Sequence, residues 1–215
     1  MAISKVNFNS LNVTPSASKF LAWDGDADAL AAADIGGALT LISTATASSS
    51  ANLSFTSGID STYKEYVFKF INIHPATNSA NLQFQASTNT GSSYGIAITS
   101  SYFQAQHAED DSEAALEYDS GSDLAQSTNF QTILGKEVGN GNDNSTSGFM
   151  HLFDPSNTTF VKHFISRGNC LDAGPMTRDG YAAGYVNTTS AIDAIQFKMS
   201  SGNMDAGTIS LYGVV

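Results

Sequence analysis

Apolar side chains return at every second position along most of this chain, and that spacing suits strands that bury one face. Leu53 and Phe55, Leu82 and Phe84, Ile96 and Ile98, and Ile209 and Leu211 all follow it, while Val67 and Ile71 flank Phe68 and Phe70. The surrounding Thr, Val and Ile favour a pleated backbone. Strands are expected near 39–46, 51–56, 64–73, 80–87, 94–104, 130–138, 147–154, 159–167, 181–187, 192–199 and 207–213. Turn signals such as Thr90-Gly91-Ser92-Ser93, Asp154-Pro155-Ser156-Asn157 and Asp179-Gly180 separate them. Antiparallel strands in such number hide their edges best as two packed sheets. The expected fold is therefore all-β: a two-sheet antiparallel β-sandwich, jelly-roll-like, with an extended N-terminal arm.

The arm covers residues 1–38 and the sandwich 39–215. Phe20-Leu21-Ala22-Trp23 leads to an acidic stretch and then Ala29–Asp34, which predicts a short helical element, broken by Gly36-Gly37. An extended arm cannot bury Phe8, Leu11, Phe20 and Trp23 by itself, so these four are the candidate assembly interface. An acidic excursion is expected near 105–129, with a helical turn over Ala114, Ala115 and Leu116.

Charge narrows the partners. Only 13% of residues are charged, about half the usual share, and Ser, Thr, Asn and Gly supply the polarity. The net charge of -11, partly concentrated in Glu109, Asp110, Asp111, Glu113, Glu117, Asp119 and Asp123, repels phosphate, so neither nucleic acid nor membrane insertion is expected. Cys170 is the single cysteine, which rules out an internal disulfide. The opening residues lack the apolar run of a secretory signal, which points to synthesis in a cytoplasm.

Candidate chemistry is sparse. Asp24, Asp26 and Asp28 imitate the start of a calcium loop, but Ala29 and Ile35 stand where such a loop needs Gly and Glu. Helix capping or a solvated turn is the plainer reading, and calcium is the one cofactor left open. His151 and His163 lie on neighbouring expected strands and would supply half of a metal site if they faced each other. The serines are too many for any one to stand out as a nucleophile, and the acids sit in loops with nothing to separate their pKa values, so enzymatic activity is not expected. A depolymerase would need two carboxylates about 5 to 9.5 Å apart in a cleft. Tyr102, Tyr118 and Tyr181 are the candidate glycan contacts, as aromatic faces near turns.

The stretch Leu41–Phe55, then Ile59–Phe68, Ile73-His74-Pro75-Ala76-Thr77 and Leu82–Ser87, resembles the β-sandwich domain of structural proteins from tailed bacteriophages, which also tend to close like Gly207–Gly213. The likeness spans about 41–104 and 190–213. It implies a non-enzymatic virion protein, either a tail fibre or spike or a capsid decoration subunit, assembled as a trimer or higher homo-oligomer with other virion proteins and attached through its N-terminal arm. A lectin-like module that binds host glycans is the alternative.

Overall fold

The computed structural model describes residues 38–215, together with the paths of two strands before them, Lys19–Trp23 (β1) and Leu30–Asp34 (β2). These two pair antiparallel from Lys19 opposite Asp34 to Trp23 opposite Leu30. The helical element expected at Ala29–Asp34 is thus corrected to a strand over Leu30–Asp34. An isolated helix below about 12 residues gains little in water, whereas five residues beside the strand-favouring Phe20, Leu21 and Trp23 gain a ladder. The chain divides into two compact units, Met1–Ala38 and Leu39–Val215.

The second unit is built of Leu39–Thr46 (β3), Leu53–Phe55 (β4), Glu65–Pro75 (β5), Leu82–Ser87 (β6), Ile98–Ala108 (β7), Ala114–Tyr118 (β8), Gln131–Thr132 (β9), Thr146–Phe153 (β10), Lys162–Leu171 (β11), Met176–Val186 (β12), Ala194–Met199 (β13) and Met204–Val214 (β14). Eight strands form one sheet in the order β3-β14-β5-β10-β11-β12-β7-β8, and four form the other in the order β4-β13-β6-β9. Every pairing is antiparallel. The chain crosses between the sheets repeatedly, and its last strand is clasped between β3 and β5. This is the two-sheet sandwich that the alternation requires.

The core lies between the sheets. Phe197 of the smaller sheet meets Phe68 and Phe70 of the larger at ring separations of 5.0 and 5.1 Å, edge to face. Phe84 meets Phe164 likewise at 4.9 Å. Each of these rings is essentially sealed from water and contributes about 2 kcal/mol or more through burial.

A second device fills the inner face where the smaller sheet is short. Gly148, Gly168 and Gly180 stand opposite one another on β10, β11 and β12. Leu134 lies on this bare strip, and a Cβ at Gly180 would fall 2.0 Å from its carbonyl oxygen. The hydroxyl of Tyr102 donates to the same oxygen at 2.7 Å. The strand expected over 130–138 is accordingly cut to Gln131–Thr132, and the residues after it serve as a lid.

The acidic excursion also needs correction. Residues 105–108 belong to β7, and Ala114–Leu116, expected as a helical turn, form the edge strand β8, paired with β7 from Phe103 opposite Tyr118 to His107 opposite Ala114. β8 is mostly exposed, so its one acid, Glu117, remains in water while its backbone continues the sheet. Strand pairing satisfies that backbone without burying a carboxylate.

Candidate functional site

The outer face of the eight-stranded sheet is the most distinctive surface. On an antiparallel sheet with one wet face, outward positions are normally polar. Here, of the nine large apolar side chains exposed among the described residues, seven point outward from this sheet: Leu41, Ile71, Phe103, Leu116, Tyr118, Phe149 and Ile165. Strand register arranges them in rows. One runs from Thr44 on β3 through Ser210, Lys69, Phe149, Arg167, Tyr181 and Phe103 to Tyr118 on β8. The next contains Leu41, Tyr212, Val67, His151, Ile165 and Ala183.

The charges on this face are accounted for locally. Arg167 lies over the Tyr181 ring at 4.9 Å and bonds Asp179 through Nη2 at 2.8 Å. Lys69 sits over Tyr212, 4.9 Å from its centroid. His151 is paired through Nδ1 with Glu65 and lies between Phe149 and Phe153. The only fixed charges within the two rows are the cations Lys69 and Arg167, and the acids Asp179 and Glu65 stand one row away. The face is therefore close to neutral, although the whole chain carries -11.

The three candidate glycan tyrosines have separate fates. Tyr102 faces the core, has no exposed surface and spends its hydroxyl on Leu134, so its assignment as a contact is withdrawn. The ring of Tyr181 is stacked on Phe103 at 4.7 Å on one side and covered by Arg167 on the other, and its hydroxyl is held by Asp179; no ring face is free for a sugar. Tyr118 alone stays open, 58% exposed, with its hydroxyl tied to Asp123.

His151 and His163 project from the same side of the sheet but do not face each other. His151 stands opposite Ile165, and His163 opposite Tyr185 on the far neighbour. No group of three or more potential metal ligands is found among the described residues. Asp24, Asp26 and Asp28 lie outside those residues, as do Phe8 and Leu11. Phe20 and Trp23 fall on β1, which places their backbone alone.

Other ionisable groups are engaged with one another. Arg178 holds Asp172 at 2.8 Å and Glu137 at 3.0 Å, and Lys136 holds Asp119 at 2.6 Å. Burial pushes the Asp119 carboxyl up, but hydrogen bonds from Lys136, Ser122 and the Gly121 amide outweigh it and keep the group below the usual carboxylate range. Burial raises the Cys170 thiol to about 12. Three buried oxygens, the Tyr94 hydroxyl, Gln104 Oε1 and Asp172 Oδ1, have no hydrogen-bond partner among the described residues.

A hollow of about 590 Å³ opens at the β10–β11 turn, lined by Phe153, Val161, His163 and Phe160 with Asp154 and Asn157 beside them. Phe160 is 68% exposed there, and its backbone is held by Asn157, whose Oδ1 accepts from the Thr159 and Phe160 amides at 2.7 and 2.8 Å. Sequence reasoning missed both Phe160 and the outer face. A signal for the face did exist, since Phe149-Met150, Leu152-Phe153 and Phe164-Ile165 place apolar residues at both phases of their strands.

No protein-family model, curated protein or solved structure matches the chain.

Proposed function

We propose that this protein is a non-enzymatic structural subunit of a tailed-bacteriophage virion, serving as tail fibre or spike or as capsid decoration, attached through its first 38 residues and self-associating through the sandwich. The observation that carries the assembly role is the outer face of the eight-stranded sheet, where apolar side chains occupy positions that a free-standing sandwich gives to polar ones. The virion context rests on the resemblance of Leu41–Ser87 and Gly207–Gly213. The mutual pairing of Arg178, Asp172 and Glu137, and of Lys136 and Asp119, favours a structural reading of the buried charges. Antibodies raised against residues 39–215 should label purified tailed-phage particles that encode the chain, at a fixed location in each. Particles that carry no label, with the protein free in the lysate, would refute the proposal.

A second reading follows from one feature. An exposed phenyl ring on a hydrogen-bonded backbone, lining a hollow together with a carboxylate and an imidazole, can meet the C–H face of a sugar while polar groups reach its hydroxyls. On this reading the protein is a lectin-like module for host glycans, with the Phe160 hollow in place of Tyr102 and Tyr181. Retention on a host polysaccharide column that Phe160→Ala abolishes would support it. Equal retention of that variant would remove it.

A further inference from the structure

We infer that the outer face of the eight-stranded sheet is a self-complementary interface that pairs face to face with the same face of a second copy of this chain. Three observations lead there. The first is what is exposed: Leu41, Phe103, Phe149 and Ile165 lie in two adjacent rows that cross the sheet, and each is 38% exposed or more. An ordered apolar surface of this extent is costly to leave in water.

The second is charge. Any partner must approach a molecule of net charge -11, and for a second copy that means repulsion over most of the surface. The two rows are the exception. Their cations, Lys69 and Arg167, sit over tyrosine rings, and Asp179 and Glu65 just outside are held by Arg167 and His151. Away from the β8 edge, where Asp123 holds the Tyr118 hydroxyl, two copies can meet here without bringing unpaired acids together, which selects a like surface over a basic or acidic partner.

The third is size. Seven strands of 8 to 11 residues and the five-residue β8, at about 3.3 Å per residue and about 4.8 Å apart, span roughly 1,200 Å², enough to hold the roughly 800 Å² per partner of a stable interface. A two-fold axis through the face satisfies both copies at once, because the same apolar rows are presented and received. Sheets packed this way keep their strands within about 30° of one another. The inference does not depend on the virion reading.

Sedimentation of the full-length chain at micromolar concentration tests it. A two-chain particle is expected for the wild type. Ile165→Glu and Phe149→Glu, each on an exposed side chain, should keep the thermal transition and weaken pairing by at least about tenfold, because the axis doubles every introduced charge. Phe160→Ser, off the face, should leave pairing unchanged. A monomer at all concentrations up to about 100 μM would overturn the inference, as would a three-chain particle, which would instead favour a trimer. Pairing that survives Ile165→Glu but is lost with Thr44→Pro on the edge strand β3 would show edge-to-edge strand addition and overturn it too. Two-chain pairing in solution with unlabelled phage particles would leave this inference standing and remove only the virion proposal.

Discussion

Cys170 shows how far one residue's environment can silence its chemistry. It lies on β11 facing inward, its thiol in contact with the Lys136 carbonyl at 3.3 Å, and burial raises its pKa to about 12. At pH 8 the native thiolate fraction is then about a thousandfold below that of an open thiol. Alkylation by iodoacetamide should be at least that much slower in buffer than in denaturant, and comparable rates would contradict the burial. Asp119 carries the opposite sign. Its carboxyl is held below 3.8 in the fold, so the native state gives up the proton more readily than the unfolded chain. Its stabilisation is complete above about pH 5 and is lost as pH falls through 3.8 towards the native value. Asp119→Asn should therefore cost about 1–2 kcal/mol at pH 7, measured by denaturant midpoint, and the gap from wild type should shrink towards pH 3. Two buried amides do related work unseen from sequence. Gln85 donates to the carbonyls of Ile96, Thr128 and Asn129, and Gln131 to those of Ser122 and Thr132, holding loops against the smaller sheet.

Elements differ in how much of them the sequence discloses, and the difference follows the range of the cause. Side-chain direction alternates with local backbone alone, so Phe68 and Phe70 or Leu82 and Phe84 announce an inward phase without reference to the rest of the chain. The same logic places Tyr102 on the face of Ile98, four residues earlier, and a stricter reading of phase would have removed it from the glycan candidates. The seat of Leu134 on Gly148, Gly168 and Gly180 is a different matter, because it joins four segments that no local window contains. Gly180→Ala should clash with the Leu134 carbonyl and the Tyr102 hydroxyl and lower stability by about 2–4 kcal/mol, whereas Gly174→Ala, whose Cβ would come no closer than 3.4 Å to Asp172, should change it by less than about 0.5 kcal/mol. The β7–β8 hairpin is hidden from the sequence for a related reason. Asp110, Asp111 and Glu113 are exposed as in a solvated loop, yet Ala114–Tyr118 directly after them pair with β7. Exchanging Asp110, Asp111 and Glu113 for Asn, Asn and Gln should accordingly shift the melting temperature only slightly, with or without chelator. A calcium-dependent drop would mean that the hairpin holds a metal.

At the scale of the whole molecule, the question is which part of the chain the sandwich needs in order to fold. The described core begins at Ala47 and ends at Leu211, and it draws on both sheets. Its closing step is topological: β14 enters between β3 and β5, so residues from opposite ends of the second unit hydrogen-bond side by side, Ser210 opposite both Thr44 and Lys69. Such long-range pairing ties the two ends of the unit together, since removing β14 strips β5 of its neighbour on that side and leaves β3 with nothing to pair with. The first unit, Met1–Ala38, carries a ladder of its own, β1 with β2, and every strand of the sandwich's two sheets comes from residues 39–215. A chain that starts at Leu39 should therefore unfold in one cooperative transition within a few degrees of the full-length protein, while one that stops at Asn203 and lacks β14 should fail to fold at all. If the first 38 residues serve attachment, the shorter chain should also keep its self-association in solution and lose its place in particles. A broad, non-cooperative melt of residues 39–215 would show that the N-terminal unit is part of the fold, and attachment could then no longer be assigned to it separately.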